Sequence, residues 1–208
     1  FVDQEVGLVL KTSTMSNSTI DFRHTSKNLK SILSGYPDRK CKVYLLHGDL
    51  SAGQMTSLYT HDKIKAIVNI AHGEGFGLPM YEAARAALPV VTIGWSGQID
   101  FLHHKGKNYF QEVDFTLQPI QDFAVWDGVL DRNSMWAYAD QGSFKMNLRK
   151  VRKNWDSCKE RAVELQEIIK EKFDEDKLHK GFVDGILGFD SSLIEPPSDS
   201  EEAVMEFD

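Results

Sequence analysis

The sequence predicts an α/β fold, a parallel sheet with helices on both faces, and three observations carry that prediction. Strand-like and helix-like segments alternate from Val6 to Ile93 in units of about 25 to 30 residues. The strand candidates are short apolar runs rich in Val, Ile and Leu, the pattern of strands buried between helices. The 208 residues are 41% hydrophobic and 26% charged, which supplies one core without a disulfide or metal staple.

The elements follow in order. Val6 to Leu10 is a short apolar run entering a polar stretch from Thr12 to Thr19, a strand running into a loop. Phe22, Leu29, Ile32 and Leu33 have helical spacing between Asp21 and Leu33, and Gly35, Pro37 and Asp38 end the helix. Lys42 to Leu46 reads as a strand, Ser51 to Tyr59 as a helix with Ser51 at its N-cap, and Ile64 to Ile70 as a strand. Pro79 to Ala87 is a helix and Val90 to Ile93 a strand. Such a Rossmann-like sheet binds ligands at the carboxyl ends of its strands, so function is expected in the loops Lys11 to Thr19, His47 to Leu50, Ala71 to Leu78 and Gly94 to Gln98.

Beyond Leu117 the alternation fades, and the segment holding Trp126, Trp136 and Tyr138 carries no clear periodicity. A long helical region, about 143–187, follows. Leu148, Val151, Trp155, Cys158, Ala162, Leu165 and Ile169 form a narrow apolar seam in it, which packs either on the sheet or a neighbouring domain, or else against a coiled-coil partner. Residues 1–192 are expected to form one domain, and residues 193–208, with Pro196 and Pro197, a disordered acidic tail.

The net charge of −7 belongs to that tail. Glu195, Asp199, Glu201, Glu202, Glu206 and Asp208 face no Lys or Arg after residue 192, leaving −1 for the rest. A near-neutral body argues against nucleic-acid binding, which needs an excess of cations. No apolar stretch approaches the roughly 20 residues of a membrane span and no signal segment opens the chain, so a cytoplasmic location is expected. Peripheral membrane contact stays open. Cys41 and Cys158 lie far apart without CxxC spacing, giving no basis for a zinc site or disulfide. The first residue is Phe1, and the chain is expected to begin inside a longer gene product.

The most informative stretch runs from Ala71 to Ala83, AHGEGFGLPMYEA. Gly73, Gly75 and Gly77 let the backbone approach a ligand closely, and Pro79 suits a first helical turn. The N–H groups of Phe76, Gly77 and Leu78 then leave a helix N-terminus, where partial positive charge seats phosphate or hydroxyl oxygens. Glu82, one turn on, has the chemistry to accept hydrogen bonds from a vicinal diol, about 1.5–3 kcal/mol each before desolvation. The same residues also fit a tight turn with two favourably placed carboxylates, and spacing alone leaves both readings standing. The glycines form GxGxG rather than GxGxxG, which disfavours a nicotinamide enzyme.

Glu74-Gly75-Phe76-Gly77-Leu78-Pro79 through Glu82-Ala83, with Leu88-Pro89-Val90-Val91 and Trp95-Ser96-Gly97, resembles the donor-binding signature of retaining glycosyltransferases of the GT-B fold, family 4 in particular. The order of elements is similar from about Val6 to Phe101, and the motif core spans about thirty residues. The resemblance implies that the chain is the C-terminal, donor-nucleotide half of such an enzyme, a hexosyltransferase whose N-terminal acceptor domain lies elsewhere, so the fragment alone is expected to be inactive. Glu74 would contact hydroxyls of the transferred sugar, Gly75, Phe76, Gly77 and Leu78 would hold sugar and diphosphate through their backbone, and Glu82 would bind the ribose. Lys11 would neutralise the diphosphate leaving group, and Asp49 and Leu50, after Gly48, stand where relatives place the base. No cofactor and no metal are implied; the nucleotide diphosphate sugar is the substrate and the partner. The sequence departs from the family at Ser16, where many relatives have a second cation. Lys27 and Lys30 are nearby but read as solvated helix residues. A non-catalytic nucleotide-sugar-binding module and a phosphorylase or epimerase of the same fold remain as alternatives.

Three further features read as surface. His103-His104 suits a turn, Arg149 to Lys153 a solvated helix face, and Asn17-Ser18-Thr19 matches a glycosylation sequon with no sign of secretion.

Overall fold

A computed structural model describes residues 3–15, 17–188 and 190, and the chain separates into two compact units, Phe1–Leu58 and Tyr59–Asp208. Both are α/β with parallel strands. The predicted acidic tail, residues 193–208, lies outside the described residues.

In the first unit β1 (Gly7–Thr12), α1 (Thr19–Ser34) and β2 (Lys42–His47) are followed by α2 (Ala52–Tyr59), whose last residue opens the second unit. β1 and β2 pair in parallel, with Lys11 opposite Leu46 and Thr12 opposite His47. Ser18 caps α1 by accepting from the Asp21 N–H, as a hydroxyl at that position does for an orphan amide. Asp21 is buried, and its carboxylate accepts from the Thr14 and Met15 N–H groups, both at 3.1 Å, and meets His47 Nε2 at 2.8 Å. This carboxylate folds the loop after β1 back onto α1. Of the predicted apolar face, Phe22 and Ile32 stay exposed, because the side of α1 turned inward is the polar one holding Asp21 and Thr25.

In the second unit β3 (Ile67–Asn69), α3 (Leu78–Arg85), β4 (Val90–Ile93), α4 (Ile99–Leu102), β5 (His103–His104), β6 (Lys107–Asn108) and β7 (Gln111–Val113) precede β8 (Phe115–Pro119) and β9 (Met135–Ala139). α5 (Gln141–Lys153), α6 (Trp155–Lys172) and α7 (Glu175–Leu187) follow. The sheet is β3-β4-β7, all parallel, with β4 central. Every residue of β4 is buried, as a strand covered on both faces requires. Val90 packs with Met80 and Ala84 of α3, Phe101 and Leu102 of α4, and Leu165 and Ile169 of α6. Val91 and Ile93 pack on the opposite face with Val113, Ala137, Val151 of α5 and Cys158 of α6.

The apolar seam packs on the sheet, the first of its two expected roles, but it is broken rather than continuous. Asn154 leaves helical geometry at φ −121°, ψ 43° between α5 and α6. α6 then carries Cys158 into one core and Leu165 and Ile169 into the other, so it crosses from one face to the other, which an unbroken extension of α5 would not do. The predicted helix to Ala87 ends at Arg85, where Ala87 takes a left-handed φ of 53° and the Leu88 N–H closes the turn on Ala83 O at 2.9 Å. The unassigned stretch is a β8–β9 hairpin, Phe115 opposite Ala139 and Leu117 opposite Ala137. Among the described residues no helix is long and apolar enough to cross a membrane.

Candidate functional site

The Glu74 loop leaves the carboxyl end of β3 and is held from both sides. Asn69, the last residue of β3, donates from Nδ2 to Glu74 Oε1 at 2.7 Å, and its own Oδ1 accepts from the Ala71 N–H. From the carboxyl end of β4, Ser96 Oγ accepts from the Glu74 N–H at 3.0 Å and donates to Glu74 O at 2.6 Å, while the Gly97 N–H donates to the same carbonyl at 3.0 Å. A Cβ on Gly97 would lie 1.9 Å from Gly75 O and 2.6 Å from Gly75 C, so only glycine permits this approach. The Trp95-Ser96-Gly97 run thus has a local role: it clamps the loop in which Glu74 sits.

Gly77 caps α3 in the left-handed conformation, φ 84°, with Pro79 in the first turn. Among the described residues, the N–H groups of Phe76, Gly77 and Leu78 meet no backbone or side-chain acceptor, and they open the helix whose dipole favours anions there. Gly75 and Leu78 are exposed. Phe76 turns inward onto Phe101 at 5.1 Å, Tyr81 at 5.2 Å and Phe173 at 6.0 Å between ring centroids, anchoring the loop's far end. Glu82 lies one turn into α3, exposed, with its carboxylate facing the hydroxyl of buried Tyr59 closely enough to act on its ionisation.

Burial, and then the Glu82 charge and hydrogen bond, push the Tyr59 phenol from 10.0 to about 12. Because the unfolded phenol ionises first, folding stability is fully present below pH 10 and declines from there to about pH 12. Subtracting the tyrosinate absorbance titration of Tyr59→Phe from that of the wild type is expected to leave a single step near pH 12; a step at 10 would contradict the pairing.

Lys11 lies at the end of β1 in the first unit. Its Nζ donates to Gly48 O at 2.5 Å, which places the ammonium at the Gly48-Asp49-Leu50 loop. Asp49 is exposed and Leu50 half-buried. Ser16, the departure from the family, lies outside the described residues, and Lys27 and Lys30 are exposed on α1. Among the described residues no group of three His, Cys, Asp or Glu side chains has metal-binding geometry. His103-His104 forms a two-residue ladder with Lys107-Asn108, turned by Lys105 and Gly106 at positive φ, and Arg149, Lys150, Arg152 and Lys153 are exposed.

Sequence reasoning missed Asn69 and Tyr59. Asn69 is the one polar residue in the run Ala66 to Ile70, and a polar side chain ending an apolar strand was the available signal. Tyr59 carries none, since its partner lies in a different helix.

No protein-family model matches the chain, and no curated protein matches it. Among solved structures, a chain in the crystal structure of the GtfA/B complex is similar at 13% identity, with a TM-score of 0.38, over 79% of this chain and 33% of that one. The present chain therefore spans about a third of that chain's length.

Proposed function

We propose that the chain is the donor-binding domain of a retaining GT-B glycosyltransferase, moving a hexose from a nucleotide diphosphate sugar to an acceptor held by a domain outside these 208 residues. The observation that carries this reading is the clamped Glu74 loop followed by the open N-terminus of α3, with Glu82 one turn on, in the sequence frame that resembles family 4. Each part has a physical task. A carboxylate fixed by Asn69 presents its remaining lone pairs to sugar hydroxyls without first reorganising. The amides before α3 suit a diphosphate, whose negative charge grows as the glycosidic bond breaks, so they stabilise the transition state more than the ground state. Glu82, exposed one turn into α3 beside Tyr59, suits a ribose diol.

The test is turnover by the longer protein with the natural donor. NMR of the first product is expected to show retained anomeric configuration, and Glu74→Ala to lower kcat by at least about 100-fold, as loss of a charge-stabilising contact does. An inverted product contradicts the retaining assignment, and unchanged turnover in Glu74→Ala favours a binding module instead.

A further inference from the structure

Beside the Glu74 loop stands a group of rings that the proposed donor contacts do not use. His72 Nδ1 lies 2.9 Å from Ala137 O, and the Ala137 N–H donates back to His72 O at 3.2 Å. A carbonyl only accepts, so Nδ1 carries the proton, and Nε2, which has no hydrogen-bond partner among the described residues, is the ring's acceptor when neutral. The imidazole stacks on Trp136 at 4.9 Å with the planes 8° apart, and its centroid is 4.4 Å from that of Tyr138. Alternation along β9 sends Ala137 and Ala139 into the core with Phe115, leaving Trp136 and Tyr138 on the opposite side of the hairpin. All three rings are half-buried rather than sealed. His72 is two residues from Glu74, at most about 7 Å of backbone.

We propose that His72, Trp136 and Tyr138 form a subsite for a pyranose ring, whose C–H face packs on the aromatic rings while a ring hydroxyl bonds His72 Nε2. The chemistry matches on both counts: sugar C–H bonds carry slight positive charge and suit electron-rich ring faces, and a hydroxyl donates to an imidazole nitrogen. A site of apolar rings with one placed polar atom is also the usual make-up of a small-ligand pocket. The choice of a sugar as ligand rests on the donor-domain reading, and the ring can come from the donor's hexosyl group or from the acceptor.

The 208-residue chain is titrated calorimetrically with UDP, GDP and ADP and with their glucose and mannose conjugates. Saturation-transfer NMR is recorded with free maltose, cellobiose, lactose and mannobiose. The variants are His72→Asn, whose amide can still donate to Ala137 O, and Trp136→Leu, each checked for wild-type melting. If the ring belongs to the donor, the conjugate binds about tenfold more tightly than the bare nucleotide and both variants erase that margin while the bare nucleotide keeps its Kd. If it belongs to the acceptor, a disaccharide shows saturation transfer that both variants abolish, with the margin untouched. Disaccharide transfer that depends on these residues, without any nucleotide binding, supports the subsite and counts against the donor-domain reading. A margin and transfer that survive in both variants, the absence of both in the wild type, or equal weakening of the bare nucleotide by both variants overturns the subsite.

Discussion

Gly97→Ala is expected to weaken nucleotide binding by the chain at least tenfold while leaving most of its fold intact. The new methyl would sit 1.9 Å from Gly75 O, 2.6 Å from Gly75 C and 3.0 Å from Glu74 O, against main chain rather than the end of a flexible side chain. Relief requires the Ser96-Gly97 turn and the Glu74 loop to separate, which removes the Gly97 bond to Glu74 O and strains the paired Ser96 bonds. Overpacking of this kind costs about 1–3 kcal/mol, and in a domain of this size lowers Tm by about 2–4 °C per kcal/mol. Binding suffers more, because displacement of the loop also moves the amides ahead of α3; a loss of tenfold in affinity, about 1.4 kcal/mol, is the least expected. Gly185→Ala in α7 serves as control, since nothing lies within 4 Å of its Cβ position and alanine is the better helix former. Equal nucleotide affinity in Gly97→Ala and wild type would mean that the clamp has no bearing on the site.

Phe101→Ala is expected to produce the largest loss of stability. Phe101 is 1% exposed, at the centre of the first core, with Phe76 at 5.1 Å and Tyr81 at 5.4 Å in tilted and edge-on arrangements. Removing a buried phenyl ring costs about 3–5 kcal/mol in lost transfer energy and residual cavity, or roughly 10 °C in Tm for the second unit. The effect reaches the site by a different route from that of Gly97. Phe76 loses the ring it packs on, so the segment between Glu74 and Gly77 is loosened in its interior anchor while its Ser96 clamp stays. Nucleotide affinity is therefore expected to fall modestly and Tm steeply, the reverse of the Gly97→Ala pattern. Thermal melts and calorimetry on both variants separate the two; a Phe101→Ala protein that melts within about 2 °C of the wild type would show that this cluster does not hold the core.

The contrast between the two variants follows from what the sequence displays and what it conceals. β4 was legible because a strand covered on both faces is a continuous apolar run, and Val90-Val91-Thr92-Ile93 is nearly that. The start of α3 was legible because Gly77 and Pro79 are dictated by local geometry: a left-handed residue, then a first turn that needs no N–H. The hairpin of β8 and β9 was not legible. Its inner face is supplied by Phe115, Ala137 and Ala139, two of them alanines, while the larger Trp136 and Tyr138 stand on the outer face, so size and polarity do not mark which side is buried. The break at Asn154 escaped for a related reason, since a three-four seam continues across it and only the existence of two cores makes α6 cross over. At the site, the motif gave Glu74 and Glu82, but Asn69 and Ser96, which hold Glu74, and Tyr59, which stands beside Glu82, come from other elements and follow from packing rather than spacing.

The most direct measurement is calorimetric titration of the chain with UDP, GDP and ADP, repeated with Glu82→Ala. The donor-domain account predicts saturable binding of one nucleotide at one site per chain, weakened by at least tenfold in the variant. Saturable binding that Glu82→Ala leaves unchanged would contradict it, because the ribose contact would then lie elsewhere.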